Sequence, residues 1–531
     1  SLGLPFAIGR AGEGAWVVPG GASRPSLARV PGRVVLDGIA LLRSATYPFE
    51  RFGLDYVARR LLGRGKAITE GVDPVSEIRR MHADDPFALA AYNLEDCRLV
   101  LDIFRKTDLI AFAIERAYLT GLPIDRQGGS IAAFDHLYLP RLHRRGYVAP
   151  DARSLPDARS SPGGHVLESS PGLYRNVLAF DFRSLYPSII RTFAIDPLGH
   201  WVPGLDPIPG FEGAAFAREG AILPDIVAAL AEARARASAA GNEPLQRAIK
   251  ILMNSLYGVL GASGCRFFDP RIASSITLRG HEIIERSRSL FEARGLRVIY
   301  GDTDSLFVLV DEALDEATCR AYGARLAEET TAFFRDELAR ELRLESHLEL
   351  RFEAHYLRFL MPTMRGSIRG SKKRYAGMVR DESGARRLVI RGLEAIRSDW
   401  TALARDAQRE LLRRVFEDEP FEQWLRETRD ELLAGRSDER LVYRRRLRRH
   451  VDDYESGPPH VRAARMLEPE NDVDDVEYVV TVRGPEPVSR RASPIDYIHY
   501  VEKQLAPAVD VVLPFVGTSY DAVAGEQLRL F

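Results

Sequence analysis

Residues 297–310 read Arg-Val-Ile-Tyr-Gly-Asp-Thr-Asp-Ser-Leu-Phe-Val-Leu-Val, the most informative stretch of the chain. Two β-like runs flank residues 301–304, a pattern typical of a hairpin with acidic residues at its tip. Carboxylates held this close repel one another, and burial raises the cost of each charge. A divalent cation would offset that cost, whereas a solvated turn would need no ligand. Counting from Asp302, Phe307 and Ala313 stand where an EF-hand requires Gly and Glu, which excludes that type of calcium site.

A second acidic element lies upstream of the hairpin. Asp181 closes the apolar run Leu178-Ala179-Phe180, which is typical of a buried strand. Residues 184–192 follow as a predicted helix, and the first backbone N–H groups of a helix favour an anion. A carboxylate beside an anion site suits a metal-bound phosphate.

Residues 223–258 predict two antiparallel helices joined at residues 240–242. On the second helix one face carries a cation, an amide and an aromatic ring at i, i+4, i+7 and i+8 spacing, namely Lys250, Asn254, Tyr257 and Gly258. By itself this face is more typical of a partly buried core from which the lysine reaches water. Together with the three carboxylates, it describes two-metal phosphoryl transfer.

Composition sets outer limits on function. The 531 residues contain 74 Lys and Arg against 75 Asp and Glu, a net charge of −1, so the chain is not uniformly basic. Three cysteines without a CxxC pair exclude a zinc ribbon or an iron–sulfur cluster. No apolar run is long enough to cross a membrane, and we expect a cytoplasmic protein. Only six residues are lysine, so any lysine inside a motif is informative.

In their order along the chain, these motifs resemble the three polymerase motifs of family B DNA polymerases: residues 181–189, 250–258 and 300–305. Residues 187–193, 265–270 and 459–465 are most similar to a bacterial repair branch of that family. The resemblance implies a multidomain α/β fold, a right-hand polymerase with palm, fingers and thumb behind a partial ribonuclease H-like exonuclease domain. It also implies that the chain is incomplete at its N-terminus.

The domains implied by the resemblance are the end of a 3′–5′ exonuclease (1–112), a linker (113–172), palm (173–222 and 262–398), fingers (223–261), and thumb with a clamp-binding tail (399–531). Within these, residues 88–106 predict a helix, and residues from about 399 onward are predicted to be mostly helical and rich in arginine. A domain boundary is expected in residues 150–172, which are rich in Ser, Pro and Gly.

The resemblance also implies roles for the motif residues. Two Mg²⁺ ions, with Mn²⁺ as an alternative, would be held by Asp181, Asp304 and the carbonyl of Phe182. Asp302 and Lys250 would complete the catalytic set, and the ring of Tyr186 would exclude a 2′-hydroxyl. The incoming dNTP would be bound by Ser184, Leu185, Tyr186, Arg234, Lys250, Asn254, Tyr257 and Gly258. Ser238 stands where the family places a second cation, and Arg236 is the expected substitute.

Primer–template DNA is a further implied partner. Its expected contacts are Gly163, Gly164, Lys372, Lys373, Arg374 and Tyr375. An arginine cluster in the predicted helical thumb is either a solvated face or a phosphate contact: Arg436, Arg440, Arg444, Arg445, Arg446, Arg448 and Arg449. At the C-terminus, four residues resemble the peptide that binds the bacterial sliding clamp: Gln527, Leu528, Leu530 and Phe531.

The exonuclease remnant is expected to be inactive. Tyr92 and Asp96 share a helix face and resemble the family's third exonuclease motif, in which the carboxylate binds metal. The Asp-x-Glu motif that supplies most of the metal ligands is missing from residues 1–91. We therefore predict that this chain does not excise a primer terminus.

The sequence thus predicts a monomeric, cytoplasmic and nucleoid-associated DNA-directed DNA polymerase that acts in repair or translesion synthesis. One alternative is a catalytically inactive, polymerase-like scaffold that binds DNA and the clamp. Another is a protein-primed replicase, but the 69 residues from Asp181 to Lys250 leave little room for its extra palm insertion.

Overall fold

The computed structural model describes the chain except for residues 1–5, 21–25, 50, 68–73, 127, 152–161, 365, 366, 368, 382, 448–450, 468–474 and 526–531. It forms two compact units. The first unit comprises residues 1–163, 184–279 and 338–347, and the second comprises residues 164–183, 280–337 and 348–531. One division thus falls between Gly163 and Gly164, inside the stretch where the sequence predicts a boundary.

The strands are β1 (Trp16–Val18), β2 (Leu27–Arg29), β3 (Gly172–Phe182), β4 (Ile208–Pro209), β5 (Ala215–Phe216), β6 (Arg297–Asp302), β7 (Ser305–Leu309), β8 (Leu350–Met361), β9 (Tyr375–Arg380), β10 (Arg386–Arg391), β11 (Tyr443–Arg446), β12 (Asp475–Thr481) and β13 (Gly484–Pro487).

The α-helices are α1 (Gly38–Ser44), α2 (Leu54–Leu62), α3 (Pro74–Asp84), α4 (Pro86–Thr107), α5 (Leu109–Thr120), α6 (Ser130–Arg144), α7 (Leu185–Thr192), α8 (Pro197–Trp201), α9 (Leu223–Ala239), α10 (Glu243–Leu260), α11 (Pro270–Glu292), α12 (Glu316–Leu342), α13 (Ala402–Phe416), α14 (Glu422–Leu433), α15 (Pro459–Ala464), α16 (Tyr497–Tyr500) and α17 (Ala506–Val509). None of the helices in the described part of the chain is both long and apolar enough to span a membrane.

A six-stranded antiparallel sheet organises the second unit, in the order β10-β9-β8-β3-β7-β6. β3 is central because its run from Val177 to Phe180 is buried on both faces. The predicted hairpin is confirmed: β6 and β7 pair, and Asp302 lies opposite Ser305. Asp181 pairs with the same Ser305 from the other side, which places the acidic ends of β3 and β6 on either side of β7.

The described region from residue 402 onward is mostly helical, as predicted, but part of its arginine cluster lies on a β-strand and not on a helix. β11, β12 and β13 form a three-stranded antiparallel sheet. Tyr443 lies opposite Tyr478, and their rings stack with centroids 5.2 Å apart. The residues 444–446 therefore lie on a strand, because this cross-strand aromatic pair anchors the segment in a sheet. Arg448 and Arg449 lie outside the described residues.

Two helices in the first unit confirm the prediction for residues 223–258. α9 and α10 pack together, and the turn between them contains Gly241 at φ 66°, a conformation that favours glycine. Asn242 then caps α10 by accepting a hydrogen bond from the N–H of Leu245 at 3.0 Å. α10 also packs on α5, and its Ala248 is buried in the core of the N-terminal helices. The predicted helix at 88–106 is confirmed as α4.

The segment 113–172, expected as a linker, contains the last turns of α5 and all of α6. Within this segment, α6 is held in the first unit by Asp196, which is fully buried. Oδ1 of Asp196 accepts hydrogen bonds from the Tyr138 hydroxyl at 3.0 Å and from the N–H groups of Ile222 and Leu223 at 3.1 and 2.8 Å. Oδ2 accepts one from the N–H of Gly199 at 2.9 Å. One carboxylate therefore joins α6, α8 and the start of α9.

Candidate active site

The tip of the hairpin, residues 302–304, forms a tight acidic turn in the second unit. Thr303 adopts φ 60°, and the N–H of Asp304 donates to the carbonyl of Asp302 at 2.7 Å. The carbonyl of Asp304 accepts a hydrogen bond from the N–H of Phe182 at 2.8 Å. Backbone contacts therefore hold the acidic turn against the end of β3, where Asp181 is half-buried.

Burial and neighbouring carboxylates disfavour the charged forms of both Asp181 and Asp304. Burial, followed by the charges of Asp304 and Glu353, raises the pKa of Asp181 to about 7. Burial, together with the charges of Asp302 and Glu353, also raises the pKa of Asp304. A hard divalent cation fits this donor set, because it prefers oxygen ligands and would offset the repulsion.

Asp302 has a different environment within the acidic turn. Its Oδ2 accepts a hydrogen bond from the Tyr300 hydroxyl at 3.3 Å, and its Oδ1 accepts one from the Thr303 hydroxyl at 3.1 Å. The ammonium of Lys373 lies 3.4 Å from Oδ1. Among the residues that the structure describes, no three carboxylate, imidazole or thiol side chains converge as a ready-made metal site.

The predicted DNA contacts at 372–375 divide into exposed and anchored residues. Lys372 and Lys373 are exposed, and the backbone N–H of Lys373 donates to the Tyr300 hydroxyl at 2.8 Å. Tyr375 is half-buried, with its ring 5.1 Å from that of Phe307. Gly163 and Gly164 are exposed.

Arg374 is directed into the protein. Its guanidinium contacts Glu394 at 2.5 Å, and only 2% of the Glu394 side chain is exposed. Glu394 also accepts a hydrogen bond from the amide of Gln408 at 2.9 Å, and that amide donates to the carbonyl of Ala508 at 2.7 Å. A buried chain of polar contacts therefore leads from residue 374 to α17.

The predicted nucleotide-binding residues of the first unit lie on three helices that pack together, α7, α9 and α10. Ser184 precedes α7 in a left-handed conformation at φ 50°, and Leu185 is buried. The rings of Tyr186 and Tyr257 contact each other, with centroids 4.6 Å apart.

The predicted polar face of α10 is largely exposed, with Tyr257 half-buried. Lys250, Asn254 and Gly258 are all exposed, whereas the buried residues of α10 lie on its other side. Arg234 on α9 is half-buried. Arg236 and Ser238 are exposed, and the guanidinium of Arg236 lies 3.8 Å from Glu232.

Comparison with known proteins identifies the family. The model of DNA polymerase family B matches residues 126–197 and 225–514. The chain belongs to the family B DNA polymerases. It is 48% identical to DNA polymerase II of Escherichia coli (strain K12), over 99% of this chain and 69% of that protein. It is 28% identical to a DNA polymerase of Thermococcus sp. (strain 9oN-7), over 97% of this chain and 68% of that protein.

A solved structure gives the same answer. The family B DNA polymerase from Pyrobaculum calidifontis superimposes with a TM-score of 0.65 at 26% identity, covering 98% of this chain and 68% of that one. The predicted family and its mixed α/β fold are therefore confirmed. The protein is a DNA-directed DNA polymerase, and the alternative of an inactive scaffold is set aside.

Two residues of this polymerase that act on predicted site residues were missed by sequence reasoning. Glu353 on β8 is a further acidic residue whose charge acts on Asp181 and Asp304. Lys66 donates to the Tyr92 hydroxyl at 3.0 Å and to Oδ2 of Asp96 at 2.8 Å. The scarcity of lysine was a signal for Lys66, whereas nothing in the local sequence marks Glu353.

The contact with Lys66 bears on the role that the sequence predicts for Tyr92 and Asp96. The ammonium pairs with Asp96, and burial and the hydrogen bonds to Asp96 and Tyr92 act in opposite directions, leaving the pKa of Lys66 raised. The other carboxylate oxygen of Asp96, Oδ1, is buried without a hydrogen-bond partner. A cation is therefore already paired with the carboxylate that the family resemblance assigns to metal.

Proposed function

We propose that this polymerase extends a primer by two-metal phosphoryl transfer at the acidic turn. The proposal is carried by the position of Asp181 beside the acidic turn: the N–H of Phe182 bonds the carbonyl of Asp304, and the charge of Asp304 adds to burial in raising the pKa of Asp181. These carboxylates and the carbonyl of Phe182 would hold two Mg²⁺ ions, or Mn²⁺. When bound, the ions would lower the pKa of the attacking 3′-hydroxyl and neutralise the charge on the leaving pyrophosphate.

The chain's own residues would orient the nucleotide. The exposed cation of Lys250 and the amide of Asn254 would contact the triphosphate, assisted by Arg234 and the N–H groups at the start of α7. Tyr186, supported by its ring contact with Tyr257, would lie against the deoxyribose and exclude a 2′-hydroxyl. Positioning and charge neutralisation supply most of the rate in such reactions.

Substitution of Asp304 tests the role of the acidic turn. Asp304→Ala should lower single-nucleotide primer extension by at least about 100-fold, because a charge that acts in the transition state is lost. Asp336→Ala is the matched control, since that side chain is 69% exposed and pairs with its neighbour Arg335. Full activity of Asp304→Ala would refute the proposed role.

Metal binding gives a readout independent of turnover. Mn²⁺ can be titrated into the protein, and free Mn²⁺ measured by electron paramagnetic resonance. We expect Asp304→Ala and Asp181→Asn each to weaken binding at least about 10-fold. Equal binding by both variants and the wild type would place the metal elsewhere.

Further partners follow from the sequence. Primer–template DNA would be contacted by Lys372 and Lys373 and by the arginines of β11, which are exposed. A sliding clamp would bind residues 527–531, which lie outside the described residues. The 48% identity to a bacterial DNA polymerase II supports a role in repair or translesion synthesis. Extension past an abasic site in a synthetic template tests that role, and a complete stop at the lesion would contradict it.

A further inference from the structure

A short segment, residues 164–170, runs along β6 and is here named the brace. Leu167 donates its N–H to the carbonyl of Gly301 at 3.0 Å, and Ser170 donates to that of Ile299 at 2.8 Å. At the other end the carbonyl of His165 accepts the N–H of Thr303, at the centre of the acidic turn, at 2.7 Å. The brace thus extends the sheet to the acidic turn.

The closest contact between the brace and the acidic turn is at Gly164. A Cβ atom on Gly164 would lie 2.6 Å from Oγ1 and 3.1 Å from Cγ2 of Thr303. The first distance is about 0.8 Å shorter than the 3.4 Å of an ordinary contact. Gly164 has no positive φ, so space rather than backbone conformation requires glycine here.

Thr303 itself is in a strained conformation. A β-branched residue at φ 60° is uncommon, and such strain persists only where the surroundings enforce it. Three local contacts enforce the conformation of Thr303. Its N–H donates a hydrogen bond to the carbonyl of His165, its hydroxyl donates one to Asp302, and its side chain packs over Gly164.

The brace is anchored independently of the acidic turn. Nε2 of His165 lies 2.8 Å from the carboxylate of Glu285 on α11. Leu167 is 4% exposed and packs over Gly301, where a Cβ atom would come within 2.7 Å of its side chain. The Ser169 hydroxyl donates to the carbonyl of Ser371 at 2.8 Å. Three anchors fix the brace, so it can resist movement of the acidic turn.

We propose that the brace is a positioning element for catalysis, and that the close contact between Gly164 and Thr303 sets the position of Asp302 and Asp304. Gly164 and His165 are then positioning residues that act through Thr303. The inference rests on the proposed role of the acidic turn. A displacement of reacting groups by about 1 Å can lower a rate roughly 100-fold. A shift of Asp302 and Asp304 by that distance should therefore lower the rate of nucleotide addition measurably.

Gly164→Ala is the primary test. We expect kcat for single-nucleotide addition to fall about 10-fold to 100-fold, with the KM for dNTP and the Kd for primer–template changed less than about threefold. Gly457→Ala in the same unit is the control, since its Cβ would meet nothing closer than 3.4 Å. A defect confined to the Kd for DNA would overturn the proposal, because it would make Gly164 a DNA contact.

Two double variants separate steric positioning from misfolding. Thr303→Ala and Thr303→Val both remove the hydroxyl bond to Asp302, but only valine keeps the branched volume. The additional effect of Gly164→Ala should vanish in the Thr303→Ala background and persist in the Thr303→Val background. Equal effects in both backgrounds would overturn the proposal.

Hydrogen exchange gives a readout that does not need activity. The amide of Thr303 should exchange faster in Gly164→Ala and return to the Thr303→Ala rate in the double variant; unchanged exchange would count against the brace.

Asp304→Ala distinguishes this inference from the proposed function. If Asp304→Ala remains active, the proposed role of the acidic turn is refuted. If Asp304→Ala is inactive but the effect of Gly164→Ala persists in the Thr303→Ala background, only the role of the brace is refuted.

Discussion

Removal of the Asp196 carboxylate should loosen the junction of α6, α8 and α9. In Asp196→Ala four donors lose their acceptor: the Tyr138 hydroxyl and three backbone N–H groups. At about 1 kcal/mol for each unsatisfied buried donor, the free energy of local opening should fall by about 4 kcal/mol. That corresponds to a roughly 1000-fold increase in local opening.

Asp196→Asn provides an internal calibration. Its amide oxygen can replace Oδ1 and keep three of the hydrogen bonds, but its NH₂ group would face the N–H of Gly199. One lost bond and one donor–donor conflict should cost about 2 kcal/mol, or roughly 30-fold in local opening. The two variants are therefore expected to differ by more than tenfold.

Hydrogen exchange followed by mass spectrometry measures this directly, in peptides that contain Gly199 and residues 222–223. Local exchange is the appropriate measure because a protein of two units need not unfold in one step. Asp206→Ala is the control, since Asp206 is exposed and pairs with Arg218 and Arg343 at the surface. If exchange in Asp196→Ala stays within threefold of the wild type, the reasoning is refuted.

Four further predictions concern the functional sites. Tyr186→Ala should reduce the preference for dCTP over CTP, measured as a ratio of kcat/KM, by at least about 100-fold, while Tyr186→Phe retains it. The chain should not shorten a primer with a mismatched 3′ end; metal-dependent shortening that disappears in Asp96→Ala would contradict this. Deleting residues 527–531 should abolish the gain in product length caused by a loaded sliding clamp, and an undiminished gain would exclude the tail as its binding site. Replacing the three arginines of β11 with alanine should reduce the slope of log Kd for DNA against log salt by about 2 to 3, whereas an unchanged slope would mean that they do not contact DNA phosphates.

The elements around the acidic turn could be predicted because their signals are local. Two β-like runs around a Gly-Asp turn indicate the hairpin of β6 and β7. The helical spacing of the residues on one face of α10, with Asn242 as its N-cap, indicates that helix. The order of the three motifs then sufficed to identify the family. These features depend on residues within about a dozen positions of one another.

What sequence reasoning missed depends on contacts between distant segments. The brace meets the acidic turn across more than 130 residues, and Glu353 acts on Asp181 only because β8 pairs with β3. The strand β11 was mistaken for part of a helical region because three consecutive arginines hide the aromatic pairing of Tyr443 with Tyr478 on the neighbouring strand. In each case the structure depends on which distant segments pair, and a short stretch of sequence does not identify its pairing partner.

The buried contacts from Arg374 through Glu394 and Gln408 to Ala508 have a consequence for protein engineering. A chimera joined near residue 399 would inherit Gln408 from one parent and Glu394 from the other, and would leave a buried carboxylate without its amide unless both parents share it. The segment that carries the exposed Lys372 and Lys373 would then lose part of the buried contacts that hold Arg374 in place. Exchangeable modules of this polymerase should therefore be cut so that residues 371–394 travel together with the C-terminal helices.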